Sequence, residues 1–241
     1  MLKVIQVEAK LFLREGTPTF FAVLFPTVLL LVLGAIPALR TPDAVFGGAR
    51  FIDGYAGTLV VITLGFLGLQ RLPTAVATYR ERGVLRRLGT TPLHPGKLLA
   101  AQLLVNLAAA VVSVGLTVAT GKLVFGIDLP HHLAGFLVAV LLGAASLFAF
   151  GLVIAALAPT AKSAAGWSML AFGLVMFFGG AYLPRFMLPD AINTVGQYLP
   201  PGVAALQDSW VGTAPSAAHL AIMALIALGA GTVAAKTFRW E

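Results

Sequence analysis

One hydrophilic block, TYRERGVLRRLGTTPLHPGKLLAA from Thr78 to Ala101, interrupts a chain that is otherwise strongly apolar. Arg80, Glu81, Arg82, Arg86 and Arg87 place five charges within eight residues, with long apolar runs on both sides. A charge at the centre of a bilayer costs about 2.5–3.5 kcal/mol on insertion scales, so the block must lie in water between two spans. It also carries the signals of a short helix over 79–88. Thr78-x-x-Glu81 fits a capping box, Gly89 suits a left-handed stop, and Pro92 and Pro95 oppose continuation. On that helix Val84, Leu85 and Leu88 share one face, while Arg82 and Arg86 stack on another. An apolar knob with a charged rim suits docking into a partner's groove. The same pattern also suits a helix lying on lipid headgroups, with arginines meeting phosphates.

The runs around the block set the class. Hydrophobic residues make up 59% of the chain and charged residues 10%, with a mean hydropathy of +0.95. A soluble domain carries about a quarter charged residues, so this is an all-α integral membrane protein. Six spans are expected, over 19–39, 54–72, 98–125, 133–158, 164–182 and 217–237. Residues 1–15 form an amphipathic helix at the interface, with Lys3, Gln6, Lys10 and Arg14 on one stripe and Leu2, Ile5, Ala9 and Phe12 on another. Pro26 is a kink site in the first span, and Pro73 marks the departure of the second towards the charged helix. The first apolar run exceeds the about 7–15 residues of a signal-peptide core, which favours a retained span. No linker or repeat divides the chain, so residues 1–241 are read as a single transmembrane domain.

Charge orients it. With a cytoplasmic N-terminus, twelve of the 16 Lys and Arg fall inside, and only Arg40, Arg50, Lys122 and Arg185 fall outside. All five Asp lie outside and all four Glu inside. This bias places both termini in the cytoplasm of a multi-pass protein of the cytoplasmic (inner) membrane. The net charge of +7 therefore reflects topology and lipid contact, and no nucleic-acid partner is implied.

Chemistry within the spans is sparse. Gln102, Asn106, Ser113, Thr117 and Thr120 recur along one face of the third span. They suit interhelical hydrogen bonding, or part of a substrate path. Gly96-Lys97 fails as a phosphate loop, because Thr91 and Leu98 stand where glycine and a hydroxyl residue are required. His131 and His132 read as a solvated turn without metal-ligand spacing, and Ser146 lacks a nucleophile frame. No metal site is expected. Gly151/Ala155 and Ala227/Gly231/Ala235 form small-residue ladders that permit close helix packing.

The segment 179–208 combines Pro184, Pro189, Pro200 and Pro201 with an apolar composition, which fits short re-entrant helices on the outer face over 183–208. Two motifs here resemble one family. Arg80, Glu81, Gly83, Leu85, Leu88, Thr91, Pro92, Leu93 and Leu98 resemble the first cytoplasmic loop of type-2 ABC-exporter permeases, especially the small drug-resistance exporters similar to the daunorubicin permease. Gly179, Gly180, Tyr182, Pro184, Leu188, Pro189 and Pro200 resemble the proline-rich run after their fifth span, although Pro201-Gly202 departs from the usual pattern.

The resemblance implies an elbow helix at the N-terminus and a coupling helix formed by Glu81, Arg82, Gly83, Val84, Leu85, Arg86, Arg87 and Leu88, which docks on an ATP-hydrolysing subunit. It implies two ATPase subunits and a second permease subunit, identical or homologous. ATP and Mg would be bound on the ATPase, with no cofactor on this chain. Hydrophobic drugs, lipids or lipid-linked molecules are the substrates it suggests. A non-transporting membrane scaffold and an intramembrane enzyme are the alternatives.

Overall fold

In the computed structural model, residues 1–43, 48–89, 96–182, 188–211 and 213–238 are described, and no strand forms among them. The helices are α1 (Leu2–Arg14), α2 (Gly16–Ala35), α3 (Phe51–Glu81), α4 (Val84–Gly89), α5 (Gly96–Phe125), α6 (Leu133–Leu157), α7 (Ala161–Phe178), α8 (Asp190–Gln197), α9 (Val203–Val211) and α10 (Ala217–Thr237). Six of them, α2, α3, α5, α6, α7 and α10, are long and apolar enough to cross a membrane.

Several boundaries move from their expected places, each for a local reason. Glu15 alone leaves helical geometry between α1 and α2. Pro18 sits in the first turn of α2, where a missing N–H costs nothing, so the break expected at Gly16–Pro18 is only one residue wide. The span ends at Ala35 because Ile36, preceding Pro37, is extended. The largest shift is in α3. Pro73 does not end it, and the helix runs on to Glu81. A π-helical turn over Phe66–Arg71 widens the backbone just before the proline, and the Thr74 hydroxyl is shared between the Gln70 and Arg71 carbonyls at 2.7 and 2.9 Å. Pro26 follows a second such turn, Phe20–Leu24. The α7 span starts at Ala161, earlier than expected, because Thr160 and Ser163 form a capping box, and it ends at Phe178 before Gly179 and a left-handed Gly180.

The core is organised around α3: 78% of the residues in its most apolar stretch are buried, against 22% for α2, 17% for α7 and 11% for α10. It meets α6 at paired glycines, where a Cβ on Gly151 would collide with the Gly68 carbonyl oxygen. That ladder packs as expected. The other does not: Gly231 has nothing within 4 Å of an added Cβ, and Ala235 is exposed.

Alternation of the spans creates two ends. At one, Arg50 pairs with Asp53 at 2.7 Å and donates to the Phe125 carbonyl at 3.0 Å, while Lys122 reaches Asp128 at 3.3 Å. Near that end, α8 and α9 are joined by the Pro200-Pro201 cis bond. α9 inserts against α3 and α6, with Ala205, Leu206 and Ser209 fully enclosed. The other end carries α1, α4 and the α6–α7 turn.

Candidate docking surface and its buried anchors

The hydrophilic block does not form one helix over 79–88. The Thr78 hydroxyl is turned back to the Thr74 carbonyl at 2.7 Å inside α3, so it caps nothing. The chain breaks instead at Arg82–Gly83, where Gly83 takes φ +67, a conformation that disfavours a Cβ. α4 then starts at Val84.

This break changes which side chains face out. Leu85, expected on a docking knob, is 1% exposed within the chain itself, and Val84 and Leu88 are half-buried. The exposed groups are Glu81, Arg82, Arg86 and Arg87. The surface offered here is charged and the apolar face is turned inward. Thr91, Pro92 and Leu93 of the first motif lie outside the described residues, whereas Leu98 is buried at the start of α5.

Arg80 and Glu81 both reach across to the α6–α7 turn. The Arg80 guanidinium donates to the carbonyls of Ala155, at 2.9 Å, and Ala158, which are the free acceptors at the C-terminus of α6. The Glu81 carboxylate accepts from the Ala161 N–H at 3.2 Å, at the N-terminus of α7. Each charge thus meets the complementary end of a helix dipole.

Behind this surface lies a buried polar cluster. Glu8 of α1, 6% exposed, accepts from the Tyr79 hydroxyl at 3.1 Å and from the Gln102 amide at 2.8 Å. Burial pushes the Glu8 carboxyl above its ordinary value, opposed in part by those two hydrogen bonds. Arg71, 7% exposed, pairs with Glu15 at 3.0 Å, donates to Asn106 at 3.4 Å and lies over the Phe12 ring at 4.0 Å. The α5 polar face is therefore drawn into helix packing. Asn106 also donates to the Gln102 carbonyl at 2.8 Å, Ser113 meets Thr63 of α3 at 3.3 Å and Thr117 meets Thr27 of α2 at 3.1 Å. Thr120 is half-buried at the far end of the row.

Glu8, Glu15, Arg71 and Tyr79 were not among the expected site residues. Glu8 had a readable signal, since it lies three residues after Ile5 and four before Phe12, on the apolar stripe of α1. Leu2, expected on that stripe, is exposed.

In the second motif, Gly179 is buried against Val61 and Gly180 takes φ +76. Tyr182 is exposed, Leu188 is buried, Pro189 precedes the first turn of α8, and Pro200 is buried. Pro184 lies outside the described residues. Ser146 donates to the Gly143 carbonyl at 2.9 Å, and His132 caps α6 by accepting from the Gly135 N–H at 3.0 Å.

No curated protein matches the chain. A model of the family described as ABC-2 type transporter matches residues 2–204, from the start of α1 into α9.

Proposed function

Because the chain belongs to the ABC-2 type transporter family, we propose that it is the permease subunit of an ATP-binding-cassette exporter whose ATPase is a separate chain. The permease role and the six-span membrane architecture are the premise. The finer reading is that the ATPase docks at the end carrying α4 and that this end faces the cytoplasm, with both termini. The observation that carries it is the exposed set Glu81, Arg82, Arg86 and Arg87, held on a glycine-broken turn at the tip of the most buried span. The twelve-to-four distribution of basic residues supports the same orientation in the inner membrane.

Two ATPase copies, carrying ATP and Mg, and a second permease copy complete the assembly. The chain itself catalyses no reaction in this reading. The substrate is a hydrophobic or amphiphilic molecule, in keeping with apolar spans in which much of the polar row on α5 is taken up by hydrogen bonds to other helices.

Co-purification tests the docking surface. The tagged permease, expressed with a Walker-motif ATPase from its own genome, should recover that subunit and stimulate ATP hydrolysis. Reversing two charges of a complementary patch sets like charges against each other, which costs several kcal/mol. Arg82→Glu/Arg86→Glu should therefore reduce recovery at least tenfold while leaving membrane insertion unchanged. Undiminished recovery by that double variant sinks the assignment of the surface.

A further inference from the structure

At the basic end, the last turn of α3 is hydrogen-bonded to the α6–α7 turn. The Arg80 guanidinium binds the carbonyls that close α6, and the adjacent Glu81 carboxylate binds the N–H that opens α7. Between those contacts lie only Pro159 and Thr160, and Thr160 is itself fixed by its reciprocal cap with Ser163. The turn is thus held from both sides. Both anchoring residues belong to the last turn of α3, immediately before the Gly83 break that carries α4.

From this geometry we infer that Arg80 and Glu81 are positioning residues that staple the α6–α7 turn to the docking end of α3, so that displacement of α4 is delivered to α6 and α7 as well as to α3. Without the staple, α4 connects by chain only to α3 and to α5. α3 already packs along both α6 and α7, and the staple adds a polar tie at its tip that fixes the turn between them to the root of α4. The role in coupling rests on the function proposed above; the staple itself does not.

The chain has no cysteine, so paired labels can be placed cleanly at two exposed positions, Arg86→Cys on α4 and Lys162→Cys in the first turn of α7. Spin-label distances measured on the whole permease in nanodiscs should give one narrow distribution. Glu81→Ala, and separately Arg80→Gln, should at least double its width, and Arg80→Lys, which can still cap a helix C-terminus, should restore most of it. In the complex with the ATPase, Arg80→Gln, which lies outside the exposed docking set, should keep ATP hydrolysis and lose transport per ATP by tenfold or more. Equal widths in the parent and both variants overturn the staple, whether or not an ATPase is ever recovered. Broadened widths with unchanged transport per ATP overturn its role in coupling. A variant that merely destabilised the fold would lower yield and hydrolysis together, without moving the ratio.

Discussion

Glu8 shows how much a single carboxylate can decide at the membrane surface. It is the contact through which an amphipathic helix is bonded to two spans, Tyr79 on α3 and Gln102 on α5. Burial raises its value in the folded protein above the ordinary 4.5. A raised carboxyl favours folding while protonated; that contribution is complete below about pH 4.5 and is lost as pH rises through the raised value. The parent protein in detergent should therefore melt lower at pH 8 than at pH 5. Glu8→Gln, which keeps the shape and removes the charge, should flatten this dependence and raise the melting temperature at pH 8 by about 2–4 °C. An identical pH slope in both proteins would mean that Glu8 does not set it. Leu85 makes the opposite point. As a buried residue it tolerates no unpaired charge, so Leu85→Asp should lower the thermal stability of the isolated permease, whereas Leu85→Met costs under about 1.5 kcal/mol. If the Asp variant melts like the parent and only docking fails, Leu85 faces a partner after all.

Among the elements, α3 departs furthest from what its sequence suggests. The hydropathy of the six spans is legible because lipid imposes it residue by residue. The fate of Pro73 is not, because it depends on a π-helical turn and on a threonine hydroxyl one residue later. Thr78 and Glu81 have capping-box spacing, yet Glu81 caps a helix eighty residues away, an outcome set by tertiary packing that no local pattern encodes. The polar row on α5 was readable as a face, but its partners Glu8, Thr63 and Thr27 come from three other helices. The two glycine ladders look alike in sequence and separate only in three dimensions. Gly151→Ala must push a Cβ into the Gly68 carbonyl, at about 1–3 kcal/mol for overpacking, while Gly231→Ala should be close to neutral. Thermal scanning of the two variants in one detergent tests this, and equal losses would mean that the α3–α6 crossing is looser than described.

At the scale of the whole molecule, the proposed orientation rests on charge and the shape on a single rod. Single cysteines at Lys162 and Asp128 should label oppositely with an impermeant maleimide on intact cells: 128 reacts and 162 does not. The reverse pattern inverts the topology. The rod is α3, 31 residues long, which at about 1.5 Å per residue spans about 46 Å against the roughly 30 Å of a hydrocarbon core. A tilt of about 20° absorbs little of that surplus. Arg50 and Asp53 hold its first turn at one membrane face, so the surplus emerges at the other, beyond Arg71. α4 consequently sits at the end of a helix that stays packed on α6 and α7 to its tip, at a height set by the difference between a fixed length of protein and a variable thickness of lipid. On the docking assignment proposed above, bilayer thickness sets how far α4 stands from the surface: thicker acyl chains should lower it towards the headgroups and thinner ones lift it clear.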